Sequence, residues 1–271
     1  MYAYRIAYDG VPFHGFQRQP DVRTVEDELL GSLRRLDVLG PETATPEHYA
    51  AAGRTDAGVS ATAQTIAFEA PSWLTPAAFN SELPESIRVW ARADAPSGFH
   101  ATHHANSRTY TYFLYAPAAD REHARQAANY LSGTHDFHNL TPDESGTRRT
   151  VSIGLEFEDP FLCLTVQAGG FPRQLVRRLV TSIEAVATGK STLDHLERLL
   201  SPSPVSGPDG VGPAPAEPLV LTTVSYPDIS FTVDEEALDR TQGLFEELSA
   251  RRLARSRVAT KLATVDENGS H

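Results

Sequence analysis

A chain of 271 residues with 40% apolar side chains is long enough for one large or two modest domains and too apolar for wholesale disorder. Its 24 Lys+Arg against 35 Asp+Glu give a net charge of −11, which taken whole argues against a nucleic-acid partner. No apolar run reaches the length needed to cross a bilayer, the N-terminus lacks a basic-then-apolar signal, and the single cysteine cannot form an internal disulfide, so a soluble cytoplasmic protein is expected.

In chain order, Tyr2 to Tyr8 reads as a first strand, followed by a loop from Asp9 to Arg23 containing Phe16-Gln17-Arg18-Gln19. Thr24-Val25-Glu26-Asp27 is a capping-box-like helix start, with Val25, Leu29, Leu33 and Leu36 following at helical spacing. A short strand-like segment, His48 to Ala52, and a strand from Ala63 to Glu69 flank the turn Gly53-Arg54-Thr55-Asp56-Ala57-Gly58. Thr75-Pro76 opens a second helix that ends near Leu83-Pro84. Ile87 to Ala93 and Arg108 to Tyr115 are strands, and a helix runs from about Asp120 to Leu131 with Gly133 as its stop.

The second half continues with a hairpin of Val151 to Glu158 and Leu162 to Gln167, closed by Asp159-Pro160. Cys163 sits in its apolar run Phe161 to Leu164, where a buried structural thiol is expected. A long apolar helix is expected from Phe171 to Ala187, carrying Arg173, Arg177 and Arg178. The Pro-, Gly- and Ser-rich segment Ser201 to Pro218 is loop, and Leu219 to Tyr226 a last strand. Beyond Asp228, acids from Asp234 to Glu247 precede bases from Arg251 to Lys261, the order that complements a helix dipole, so a solvated helix is expected in preference to an RNA-binding arm. The whole reads as an α/β (α+β) fold with flanking helices on a mixed, mainly antiparallel sheet, divided into residues 1–105, 106–228 and a charged helical tail, 229–271.

Within this frame Asp56 is the most informative residue. A carboxylate on a tight turn beside Arg54 is placed for chemistry, although Asp-Ala-Gly is also ordinary turn composition. Arg177 lies inside the apolar helix face formed by Leu175, Val176, Leu179 and Val180, and a buried guanidinium needs a carboxylate partner. Asp56 is a suitable one, and such a pair would hold the acid ionised as a nucleophile requires. Arg108, Tyr110 and Tyr112 alternate, sharing one strand face: ordinary packing, or a base-stacking platform. His100, His103, His104, His135 and His138 match no tight zinc spacing and come without cysteine, so no metal site is expected. All basic residues but Lys190 and Lys261 are arginine; an acidic, lysine-poor surface suits a high-salt cytoplasm, though a GC-rich genome gives the same bias.

From about Tyr4 to Pro227 the chain resembles the TruA-type tRNA pseudouridine synthases, and the acidic, lysine-poor composition suits a halophilic archaeal member. The matching pieces, in order, are Tyr8-Asp9-Gly10, Gly15 to Gln19, Gly53 to Val59, Phe99-His100-Ala101, Arg108 to Tyr112, Gly133 with Asp136-Phe137, Phe171 with Leu175-Val176-Arg177, and Ala214-Pro215-Ala216. The resemblance implies the pseudouridine synthase fold, a homodimer and tRNA as partner, with no metal or nucleotide cofactor and no membrane. It implies isomerisation of uridine at positions 38, 39 and 40 of the anticodon arm, with Asp56 as the essential carboxylate. Tyr110 is implied to stack on the target base and to act as base on C5, Arg177 to pair with Asp56, and Arg54 to fill the space of a flipped nucleotide. Arg108, Gln17 and Arg18 are implied to bind substrate.

The pattern breaks at Ser60, where histidine is usual, and at Thr102, where arginine is usual. The segment after Asp228 has no counterpart in it. Two alternatives stand beside a synthase. One is a catalytically silent tRNA-binding module or chaperone. The other is a carboxylate glycosidase, which would need a second acid beside Asp56.

Overall fold

A computed structural model of the chain describes residues 1–205 and 207–265. In chain order it contains β1 (Tyr2–Tyr8), α1 (Val25–Arg35), β2 (Ala50–Ala51), β3 (Ser60–Phe68), α2 (Pro76–Asn80), β4 (Ile87–Asp94), β5 (Ser107–Tyr115) and α3 (Arg121–Leu131). Then follow β6 (Gly133–Asp136), β7 (Arg148–Glu158), β8 (Phe161–Ala168), α4 (Leu175–Ala187), α5 (Leu193–Leu200), β9 (Leu219–Ser225), β10 (Thr232–Val233) and α6 (Glu235–Leu262). The strands form one sheet in the order β10-β4-β1-β3-β9-β5-β8-β7-β6, with β2 added to β3. Every pairing is antiparallel except β3 with β9, where Ser60 faces Val220 and Ala61 faces Leu221. The expected mixed, mainly antiparallel sheet is what the chain forms.

The helix starts follow their caps. Thr24 Oγ1 accepts from the Asp27 N–H and donates to the Asp27 carboxylate, so the shorter Asp in the Glu place meets the cap hydroxyl. Thr75, Asp120, Thr192 and Asp234 each accept from the third N–H of α2, α3, α5 and α6 and so cap them.

Some boundaries differ from the sequence expectation. The helix expected from Phe171 begins at Leu175, because Pro172 and a left-handed Gln174 (φ 60°) hold the preceding residues as a loop. The second helix ends at Asn80, whose side chain bonds both the Val89 N–H and its carbonyl and so ties the chain end to β4. The strand expected over His48 to Ala52 shrinks to two residues, with His48 itself at φ 57°. Helix α5 adds an element beyond those expected, on the helical spacing of Leu193, Leu196, Leu199 and Leu200. The tail forms α6 over 235–262; residues 266–271 of it, and Ser206 of the 201–218 loop, lie outside the described residues.

Two hydrophobic cores lie on either side of a seam. The first joins β1, β3, β4, α1 and α2 with Leu221, Val224 and Tyr226; the second joins β5, β7 and β8 with α3, α4 and α5. Strand β9 feeds both, since Leu219 packs in the second and Leu221 in the first. Tyr110 packs against both cores, and Val59, directly before β3, belongs to the second. The seam at β3, β9 and β5 is therefore where a loop from one half meets helices from the other.

Candidate active site

The turn carrying Asp56 leads directly into β3 and is held from below by the loop after β1. Phe16 N–H donates to the Thr55 carbonyl at 3.0 Å, Gly58 N–H to Phe13 at 3.3 Å, and Val59 N–H to Asp56 at 3.1 Å. Tyr8 and Thr55 hydroxyls bond at 2.7 Å in the buried interior. Two glycines make this approach possible. A Cβ at Gly10 would sit 2.1 Å from the Val59 oxygen, and Gly15, at φ +93°, lies against the Thr55 carbonyl. The spaced glycines of Tyr8-Asp9-Gly10 and Gly15 thus act as a bed for the turn. Ser60 belongs to the same bed, since its Oγ accepts from the Gly10 N–H at 3.0 Å.

The opposite wall comes from the second core. Arg177 on α4 donates through Nη1 to Asp56 Oδ2 at 3.1 Å and through Nε to the Ala214 carbonyl at 2.6 Å, and its own carbonyl accepts from the Ala214 N–H. Its side chain is only 16% exposed, against 35% for Asp56, so the pair sits at the floor of an open site. The other carboxylate oxygen, Oδ1, accepts no hydrogen bond from the described residues. Tyr110, on β5, is half-buried with its ring edge-on to Phe171 at 5.4 Å. Burial first, and the Asp56 carboxylate second, push its phenol up to about 12, so it rests as the neutral phenol at neutral pH.

These residues line a cleft of about 730 Å³. Arg54 is exposed on its wall and makes no hydrogen bond to the described residues. Arg108 also lines it, but its guanidinium is buried and donates to the carbonyls of Ala52, Thr102 and Gly169. It braces the strand leading to the turn, and Thr102 completes that brace by donating to the Ala51 carbonyl at 2.5 Å. Gln17 and Arg18 are exposed and do not line the cleft.

Sequence reasoning missed Arg149, Asp143, Glu26 and Tyr49 as cleft residues. The adjacent arginines Arg148 and Arg149, placed where a polar loop enters a strand, were a readable signal. Glu26 was absorbed by its helix-start role. The cleft holds five arginines (54, 108, 149, 173 and 177) against three carboxylates (Glu26, Asp56 and Asp143), so it is locally cationic within a chain of net charge −11. Among the described residues no group of three or more His, Cys, Asp or Glu is arranged to hold a metal ion. The His100 and His103 rings lie 4.1 Å apart at a 35° tilt, and the His104 ring accepts from the His100 N–H. Cys163 is buried, and its thiol is pushed up by burial and by Glu158 and Glu156.

Comparison with known proteins gives a consistent picture. A family model described as tRNA pseudouridine synthase matches residues 127–227. The chain is 58% identical over 97% of its length to tRNA pseudouridine synthase A of Haloarcula marismortui, covering 98% of that protein, and 55% identical to the protein of the same name from Natronomonas pharaonis, over 97% of this chain and 99% of that one. The protein of that name from Methanothrix thermoacetophila is 38% identical, over 96% of both chains. Matches of this extent reach well beyond Asp228, where the motif pattern had offered no counterpart.

Proposed function

The chain belongs to the tRNA pseudouridine synthase A family, a family of isomerases, and on that premise we propose that it converts uridine to pseudouridine at positions 38, 39 and 40 of the tRNA anticodon arm with Asp56 as the reacting carboxylate. The observation that carries this reading is the contact of Arg177 with Asp56 Oδ2 at 3.1 Å, which leaves Oδ1 facing an arginine-lined cleft.

In the reaction the N1–C1′ bond breaks and its electron pair departs with the uracil. Asp56 either attacks C1′ or accepts the C2′ proton to give a glycal. The ring then turns and C5 bonds to C1′, with the Asp56 carboxylate leaving C1′ on the first route or the C2′ proton returned from Asp56 on the second; the C5 proton leaves and N1 is protonated. Arg177 holds the carboxylate in one orientation during both halves of this exchange, and its second donor is fixed on Ala214 so that it cannot swing away. Tyr110 offers a ring face and a neutral phenol O–H to the freed uracil, a stacking and hydrogen-bonding role that its raised pKa favours over action as a phenolate base. Arg54, exposed on the cleft wall, takes the space of the extruded nucleotide. Arg108 holds Ala52 and Thr102 and so positions the turn, while Arg149 and Arg173 face RNA phosphate. Gln17 and Arg18, exposed outside the cleft, touch RNA only at its periphery.

The active form is a homodimer in the cytoplasm with one tRNA across both subunits. Supporting a second copy, the open face of β5 and β8 exposes Phe113, Tyr115 and Phe161. The residue ranges 1–105 and 106–228 are proposed as the two similar domains, each built around one of the two cores.

The test uses tRNA tritiated at uracil C5, incubated in molar salt with the wild type and Asp56→Asn. The wild type releases tritium as pseudouridine forms; the variant loses at least about a thousandfold, the scale of removing a nucleophile. Equal release by the variant removes Asp56 from the reaction. Release without pseudouridine at 38, 39 or 40 assigns another site on tRNA.

A further inference from the structure

Helix α6 lies against β4 and α2 at the edge of the first core, and most of its surface is exposed. One of its basic residues is not a solvated charge. Arg252 donates from Nη2 to both carboxylate oxygens of Asp9, each at 2.8 Å, across 243 residues of chain. Asp9 is only 8% exposed, and Arg252 is its salt-bridge partner among the described residues. Its other bonds are to backbone: Oδ1 accepts from the Val11 N–H, and its own N–H donates to the Ser86 carbonyl. A carboxylate this buried is costly without its cation, because the desolvation stays when the partner goes.

Asp9 is also the residue before Gly10. Gly10 donates to Ser60 Oγ and rests against the Val59 carbonyl so closely that no side chain fits, and the Val59 N–H in turn closes the turn on the Asp56 carbonyl. A displacement of Asp9 is therefore passed through three short contacts to the backbone of Asp56. We propose that Arg252 is a positioning residue for the catalytic turn: through Asp9 and Gly10 the C-terminal helix holds Asp56 in register with Arg177. This rests on the assignment of Asp56 as the reacting carboxylate. It gives the tail a role in the chemistry, distinct from binding RNA with its exposed arginines.

The test compares full-length Arg252→Gln, Arg252→Lys and the double variant Asp9→Asn/Arg252→Gln with the wild type, in molar salt. Measured are single-turnover tritium release at saturating enzyme, tRNA affinity, and amide exchange of the 53–60 segment. Arg252→Gln is expected to slow the chemical step about tenfold to a hundredfold, the scale of a misplaced reacting group, with affinity within about twofold. Exchange over 53–60 rises while β5–β8 keep their protection. Arg252→Lys retains most of the rate, and the double variant, which leaves no unpaired charge, recovers most of what Arg252→Gln lost.

Lost affinity at an unchanged chemical rate would make Arg252 an RNA contact and overturn the proposal. So would unchanged exchange over 53–60, or a rate loss no larger than that of a Leu196→Ala variant of equal melting temperature in the remote core. The exchange readout needs no catalysis, and Asp56→Asn run in parallel separates failure of this coupling from failure of the Asp56 assignment.

Discussion

The two halves that meet at the seam build their parts of the site in opposite ways. In the first half, Asp56 stands on a six-residue turn with no regular structure, held by backbone hydrogen bonds from Phe16, Gly58 and Val59 and by the close approach of Gly10 and Gly15. In the second half, Tyr110 and Arg177 project from a strand and a helix whose positions are set by a packed apolar core. An acid on an exposed loop is open to a bound partner, whereas its paired cation benefits from a rigid mount. The difference teaches that the two sides fail by different routes: the helix side through loss of a charge contact, the loop side through loss of backbone fit.

Among the changes that test this contrast, the largest expected effect follows from the helix side. Arg177→Ala should lower the single-turnover rate about 10²- to 10³-fold, as for removal of one aligned charged donor, with folding retained because α4 keeps its apolar face. Arg177→Lys should restore only part of it, since one ammonium does not hold both Asp56 and the Ala214 carbonyl in the geometry of the planar fork. If the alanine variant keeps full chemical rate, the rigid-mount picture of the second half is wrong.

The loop side comes next. Gly10→Ala places a Cβ 2.1 Å from the Val59 oxygen, so backbone must move. The expected cost is about 2–3 kcal/mol by analogy with overpacking, seen as a melting-temperature fall of roughly 4–12 °C for a chain near this size. The rate should fall with tRNA affinity nearly unchanged. A variant that melts lower but turns over normally would show that the turn adapts, and would erase the contrast between the halves.

The smallest effect tests whether the halves stand or fall together. Burial pushes Tyr110 and Tyr112 up to about 12, and raises Tyr4 and Tyr8 of the first half further above the usual value of 10.0. A phenol whose folded pKa lies above its unfolded one contributes stability fully present below pH 10 and lost as pH rises through the folded value. Alkaline titration followed by circular dichroism should therefore give one transition above pH 10, shared by both halves through β9. Two separated transitions would show the cores to unfold independently.

Much of the architecture was legible because it rests on local rules. The caps at Thr24, Thr75 and Asp120, the alternation of Arg108, Tyr110 and Tyr112, and the hairpin turn at Asp159-Pro160 are short-range signals that survive packing. Arg177 was traceable to a partner because an arginine on an apolar helix face violates the pattern around it. The start of α4 was misread for the same reason that it matters: Phe171 to Gln174 look helical in apolar spacing but are held open as cleft wall.

By itself, then, the sequence determined most of the element types and the family, and singled out Asp56 as the candidate acid, since these depend on residue type and spacing along the chain. Only the tertiary structure decided the uses of individual charges. It set the Arg108 guanidinium on three backbone carbonyls, joined Arg252 to Asp9, and gathered five arginines around one carboxylate turn in an acidic chain. The physical reason is that a charge takes its role from whatever lies within a few ångströms of it, and in a sheet where β3 lies parallel to β9 those neighbours come from up to 243 residues away.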